Sequence, residues 1–364
     1  MGALEGRLRA AWQGRVSGCM LGKAVEAFSM TSGSEALSRF LEGVSALPLR
    51  DYIPHPTDIP HPADTPDRAE APPLLLASCC RGRFEASQPD DDINYSVLAL
   101  EMLERHGADL STEDVARTWM NRLPVGMTFT AERAAFRQLL IHSHEYFALG
   151  APVGFDLGLC SDNEYNDWIG AQIRADVYGW VAPGNPELAT RLAKADAELS
   201  HRGDGVSGAV IVAAWGAAIP VEATLEDALD RAVSFIPEDS GAARAVALGR
   251  RLAGSAEGAD VIRAAYPDLS PVHTNNNLAL VVWSLLSQRD NFSAAIGDVV
   301  SAGWDTDCNG ATVGALWALQ GKAVPAQWTE PWRERIGVSL AGQGELRLEE
   351  LVNRTVAVAE SLAA

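Results

Sequence analysis

Three adjacent carboxylates, Asp90-Asp91-Asp92, stand immediately before a helical pattern that begins near Ile93. Neighbouring like charges repel, and folding alone does not ask for such a run. A helix N-terminus favours one or two acids through its dipole, which is the plainer reading. Hard cations such as Mg²⁺ and Mn²⁺ take oxygen ligands, often carboxylates, which is the chemical one. A second acidic group lies far along the chain, in Gly303-Trp304-Asp305-Thr306-Asp307-Cys308-Asn309-Gly310-Ala311-Thr312, followed by the apolar run VGALWAL. Asp305 and Asp307, two apart in a Gly-flanked turn, can aim both carboxylates at one point. No acid follows at the position where an EF-hand places its bidentate Glu, so that loop type is excluded. Two carboxylate groups, each opening a helix, point to one shared metal centre; the competing reading is a pair of unrelated capped helices.

The elements that must carry these groups are helical nearly throughout. Leu8, Trp12, Val16 and Met20 recur at four-residue spacing, as one face of a helix requires, and the opening segment MGALEGRLRAAWQGR reads as an amphipathic helix. Ser111 with Asp114, and Thr224 with Asp227, form capping-box patterns. Gly208–Ala218, Leu278–Leu286 and Ala311–Leu319 are small and apolar on most sides, as buried central helices are. Strand-like alternation is scarce. The expectation is an all-α fold, one compact multi-helix domain over residues 1–364. Two segments interrupt it. Residues 46–75 repeat an Ile-Pro-His-Pro unit and contain too many prolines for helix, so a long loop is expected there, with His55 and His61 as surface histidines in preference to ligands. Residues 148–170 are rich in Gly, Asp and Asn.

Composition narrows the function classes. The chain has 364 residues, a hydrophobic fraction of 47%, and a formal net charge of −19 from 29 basic and 48 acidic side chains. Such a surface repels nucleic acid and anionic membranes. Any phosphate-bearing substrate needs local positive charge, which bound divalent cations would supply. Five scattered cysteines without a CxxC pair form no disulfide framework. The N-terminal segment lacks a signal-peptide apolar region and no run is long enough to span a membrane, so a cytoplasmic monomer is expected.

Together these residues resemble the ADP-ribosylglycohydrolase family. The Asp-Asp pair at an early helix start and the late GxDTDxNGA motif carry the likeness, and three further segments join in the family's order. The stretch Gly14–Phe28, GRVSGCMLGKAVEAF, is similar to the N-terminal Gly-rich helix and its following acid. Gly170-Ala171-x-x-Arg174 resembles the glycine-rich loop that cradles the ribose-phosphate, and Ser200-His201 resembles the (Ser/Thr)-His motif. The resemblance implies an all-helical fold and two adjacent Mg²⁺ or Mn²⁺ ions, with one ion as the alternative that the Cys308 departure opens. It implies metal ligands at Asp90, Asp91, Asp92, Asp305, Asp307 and Cys308. Glu26, with Asp92 as the alternative, would transfer the proton. Gly170, Ala171, Arg174, Ser200 and His201 would meet the substrate.

The departures are informative. Ile93 stands where the family usually has Thr, and Cys308 replaces a hydroxyl ligand with a thiol, a poor partner for a hard cation. Trp304, and with it Trp168, would add aromatic planes for a flat aglycone. The run Asn163–Trp168 and the triplet Asn275-Asn276-Asn277 fall outside the common pattern, and suggest altered recognition or, for the asparagines, an N-cap. The expected activity is hydrolysis of a glycosidic bond at the ribose anomeric carbon of an ADP-ribosyl or related substrate, either a small molecule or an ADP-ribosylated protein. The alternatives are a metal-dependent nucleosidase or small-molecule ribosyl hydrolase, and a non-catalytic binder of ADP-ribose or a nucleotide.

Overall fold

Glycines four residues apart decide how the centre of the molecule is assembled. The computed structural model describes residues 2–59, 70–142 and 154–363; His61 lies outside these, as does most of the first part of the Gly/Asp/Asn-rich segment. Six helices position the site: α1 (Gly2–Lys23), α2 (Glu26–Ser32), α3 (Asp91–His106), α4 (Gly203–Ala218), α5 (Thr274–Ser287) and α6 (Thr306–Ala318). Helices α1 and α6 run antiparallel and touch backbone to backbone. A Cβ added at Gly14 would stand 2.1 Å from the Gly314 carbonyl oxygen, at Gly18 1.9 Å from that of Gly310, and at Gly22 2.2 Å from that of Thr306. No side chain larger than hydrogen fits, and this is why the stripe is glycine. The Thr306 hydroxyl fastens the end of the seam by donating to the Gly22 carbonyl at 2.8 Å. The C-terminus of α1 is thereby held against the N-terminus of α6, where the second acidic group begins.

The opening helix is not the surface amphipath that its first residues suggest. From Leu8 onward almost every residue of α1 is buried, polar Arg15 and Ser17 included. Its apolar side carries Leu8, Trp12, Val16 and Met20 into the core, each contributing about 1.5–3 kcal/mol by leaving water. Trp12 meets Trp180 edge to face at 5.1 Å and donates its indole N–H to Thr355 at 3.0 Å. Helix α6 is buried along its whole length, and α4 and α5 are nearly so.

Other helices enclose these. Pro186–Ala197 packs on α4, Gly241–Leu252 on α5, Phe292–Ser301 on α6 and Leu348–Ala363 on α1, around one continuous hydrophobic core. The fold is an all-α, compact multi-helix bundle. Among the described residues the only strands are β1 (Arg335–Gly337) and β2 (Glu345–Arg347), a short antiparallel pair with Ile336 opposite Leu346. The capping box at Ser111 and Asp114 is present in full, and Thr224 caps its helix by accepting from the Asp227 N–H. The described parts of 46–75 are irregular apart from the turn Pro56–Asp58, where the His55 side chain caps the turn.

Candidate metal centre

The first acidic run divides its labour. Asp90 is the N-cap of α3, its Oδ1 accepting from the Asp92 N–H at 2.9 Å, so the plain reading of a helix start holds for this residue. Asp92 turns inward and is fully buried, whereas Asp91 keeps partial exposure. At the other end of the chain Gly303 and Trp304 both take positive φ, 85° and 61°. That conformation is costly for tryptophan. It is held in part by the Ser29 hydroxyl, which donates to the Trp304 carbonyl at 3.1 Å. This bend sets Asp305 as the residue before α6 and Asp307 in its first turn, both buried.

The two runs meet. Ligand atoms of Glu26, Asp305 and Asp307 lie within 4.8 Å of one another, as do those of Asp92, Asp307 and Cys308, and those of Cys19, Asp90 and Asp92. Asp91 belongs to none of these groups but is near enough for its charge to act on Asp90 and Asp307. Asp92 Oδ2, Asp305 Oδ1 and Asp307 Oδ1 are buried without a hydrogen-bond partner. Buried carboxylate oxygens left bare are costly, and a divalent cation bound within one of these groups would satisfy the oxygens that face it. The donor set therefore fits such an ion, with carboxylate oxygens predominating and the thiols of Cys19 and Cys308 each in one group.

Protonation tells the same story. Burial, and then the charges of Asp307, Asp305 and Asp90, push the Glu26 carboxyl well above its usual range. Burial and neighbouring carboxylates likewise raise Asp91, Asp305 and Asp307. Asp92 is raised too, by burial above all, although Arg15 pulls the other way. Asp90 is the exception: burial would raise it, yet the Lys23 ammonium pairs with Oδ2 and holds it low. Without a cation these acids resist ionising together; a cation reverses that preference.

Three positioning residues were not assigned from the sequence. Arg15, Cys19 and Lys23 recur at four-residue spacing on one face of α1, a signal that was present but reads as ordinary helix periodicity. The fully buried Arg15 donates to Asp92 Oδ1 at 3.1 Å, to the Asp92 carbonyl at 2.9 Å, to Ser96 at 2.6 Å and to Asp176 at 2.8 Å. It thus fixes the orientation in which Asp92 Oδ2 faces the centre. Asp176, raised to about 6 by burial against the pull of Arg15, completes that set.

The glycine-rich loop and the Ser-His pair occupy a different environment. Arg174, expected to meet substrate, is 1% exposed. Its guanidinium donates to Asp196 Oδ1 at 2.9 Å, Glu132 Oε1 at 2.6 Å, the Gly170 carbonyl at 3.1 Å, the Asp196 carbonyl at 3.1 Å and Ser200 Oγ at 2.8 Å. Every N–H is committed, so the side chain organises the interior and has none left for a phosphate. Gly170 sits over Glu132, where a Cβ would come within 2.0 Å of the carboxylate, and Ala171 is buried. Ser200 and His201 are also enclosed; Ser200 Oγ is 2.8 Å from His201 Nδ1, and burial keeps the imidazole neutral. On its outer side this segment borders a cavity of about 630 Å³ with Lys194, Arg202 and Phe235, which none of the clustered acids lines.

The asparagine triplet is corrected. His273, not an asparagine, caps α5, its Nδ1 accepting from the Asn275 N–H at 3.1 Å. The asparagines lie within the first turn, and Asn277 donates to the Pro271 and His273 carbonyls at 2.7 and 2.8 Å. Its Oδ1 accepts from Asn309 at 2.7 Å, two residues beyond Asp307. The same turn holds the loop of Trp168: Thr274 Oγ1 donates to the Trp168 carbonyl at 2.8 Å, and Tyr165 meets the Trp168 ring at 4.7 Å. Trp168 and Trp304 are each partly exposed.

Comparison with known proteins agrees with this architecture. A solved structure described as an ADP-ribosylglycohydrolase-related protein complex superposes with a TM-score of 0.59 over 100% of both chains, at 17% identity, a likeness of fold. Among curated proteins no sequence matches. The profile of the ADP-ribosylglycohydrolase family matches residues 2–362, from the glycine stripe of α1 to the last helix, and the chain belongs to that family.

Proposed function

We propose that the protein is a divalent-cation-dependent hydrolase that cleaves the glycosidic bond at the ribose anomeric carbon of an ADP-ribosyl or related ribosyl substrate. The observation that carries this reading is the clustering of Glu26, Asp305 and Asp307, and of Asp92, Asp307 and Cys308, with Asp92 Oδ2, Asp305 Oδ1 and Asp307 Oδ1 buried and unpartnered, in a chain of this family. Bound there, Mg²⁺, or Mn²⁺ in its place, supplies positive charge that orients ribose hydroxyls and acidifies water. Asp305 and Asp307 hold the ion, together with Asp92, whose orientation Arg15 fixes. Glu26 moves the proton. Its carboxyl, partly exposed, is held above its usual range by burial and then by Asp307, Asp305 and Asp90, which suits a group that must keep a proton to donate. Asp92 is less suited to that task because Arg15 occupies its other oxygen. Bond cleavage passes through an oxocarbenium-like state, which the surrounding carboxylates favour by charge. Trp168, with Tyr165, and Trp304 offer faces on which a flat leaving group stacks.

A second reading has its own support. Arg174 has no donor to spare for a diphosphate, and the centre is otherwise acidic, which favours a nucleoside or another small ribosyl compound over a full ADP-ribosyl group. The two are separated by assaying release of the aglycone from ADP-ribosylated arginine, ADP-ribosylated serine and simple nucleosides, each with Mg²⁺ and with chelator. Chelator-sensitive cleavage of any of them supports the proposal and names the substrate. Cleavage that survives chelation, or none with any of the three, contradicts it.

A further inference from the structure

The acidic centre contains its own cation. Lys23 ends α1 with its side chain only 18% exposed, and its ammonium pairs with Asp90 Oδ2. The other oxygen of Asp90 accepts the Asp92 N–H, so Asp90 is absent from the unpartnered atoms while Asp92, Asp305 and Asp307 each contribute one. The three donor groups form a row. Cys19/Asp90/Asp92 and Glu26/Asp305/Asp307 share no residue, and Asp92/Asp307/Cys308 bridges them. Lys23 engages the first of these. Asp305 lies in the opposite end group, Asp307 in that group and the bridging one, and Asp92 in the bridging group and the first.

We propose that the Lys23 ammonium is a built-in cation that occupies the Asp90 end of the row, so that the centre takes one divalent ion, at the Asp305/Asp307 end, and not two. An ammonium and a divalent ion repel strongly at contact distance in a low-dielectric interior. Of the other donors at that end, the thiol of Cys19 compensates poorly for a hard ion, and Asp92 is shared with the bridging group. The inference rests on the reading of this site as a cation centre, and it assigns that centre a stoichiometry and a residue that sets it.

The test is equilibrium binding of Mn²⁺ to metal-free protein, with bound ion counted by electron paramagnetic resonance. The wild-type chain is expected to take up one equivalent with an uncoupled signal. Lys23→Gln, and Lys23→Ala with more room, are expected to take up a second, visible as spin coupling between neighbouring ions. Circular dichroism of each variant confirms that it is folded, and the wild-type count stands whatever the variants do. Two tight equivalents in the wild-type chain overturn the proposal and leave the cation centre intact. A single equivalent in a folded Lys23 variant overturns the role of Lys23. No uptake by the wild-type chain overturns the cation centre itself.

Discussion

Two buried charged networks lie within this bundle, and they are finished differently. Each of the five N–H groups of Arg174 has an acceptor: Glu132, Asp196, Ser200 and two backbone carbonyls close the set, and the guanidinium stacks 5.1 Å from Trp119. Around Asp92, Asp305 and Asp307 the acids outnumber the bases, and three carboxylate oxygens are buried without a hydrogen-bond partner. Charges buried at comparable depth thus serve opposite ends. A closed network holds helices in register; an open one is prepared for a ligand that the chain does not supply.

The contrast is sharpest under mutation. Arg174→Ala strands Glu132 and Asp196 and is expected to cost about 3–5 kcal/mol of stability, read as a large fall in denaturant midpoint; a change within the noise would show that the network does not hold the fold. Asp307→Ala should do the reverse. Its kcat/KM is expected to fall on the order of 10²–10³-fold, the scale of losing one preorganised electrostatic partner. The cation-free melting temperature should stay level or rise, because a repelled buried carboxylate has gone. A variant with wild-type rate contradicts the assignment. Gly18→Ala tests how the open network is assembled: a methyl wedged against the Gly310 carbonyl is expected to cost at least about 1–3 kcal/mol and to weaken Mg²⁺ affinity, measured by calorimetry on the same sample.

The pH response should separate the cation-free from the loaded state. Glu26, Asp91, Asp92, Asp305 and Asp307 are raised, and Asp176 is raised to about 6. A raised acid binds its proton more tightly in the folded than in the unfolded chain, so stability grows as pH falls from above the folded value towards about 4. Asp90, lowered by Lys23, opposes this but is outnumbered. Cation-free protein is therefore expected to melt higher at pH 5.5 than at pH 8, by about 1–3 kcal/mol in stability. Saturating Mg²⁺ should reduce the trend and leave the contribution of Asp176. A cation-free melting point that falls on acidification through this range contradicts the charge arrangement.

Much of the open network was legible in the sequence because its signals are local. Three adjacent Asp and two Asp in a Gly-flanked turn each report a backbone feature within a few residues, whereas the close approach behind Gly14, Gly18 and Gly22 exists only against α6. What remained hidden depends on partners distant in the chain. Arg174 looked available for a phosphate because nothing nearby in sequence reveals Glu132 or Asp196. The asparagines 275–277 read equally as an N-cap or a recognition element, because the contacts of Asn275 with Asp204 and of Asn277 with Asn309 appear only once the helices are packed. Lys23 was hidden for a different reason: its spacing from Arg15 and Cys19 matches simple helix periodicity, and only the arrival of α3 turns that face into the floor of the centre.

The most direct test of the central claim is calorimetric titration of ADP-ribose into the protein, first with saturating Mg²⁺ and then with chelator. The account predicts binding that disappears on chelation and is lost in Asp307→Ala even with Mg²⁺ present. Binding of equal strength under both conditions would contradict it, because the bare carboxylates would then have no part in holding the ribose.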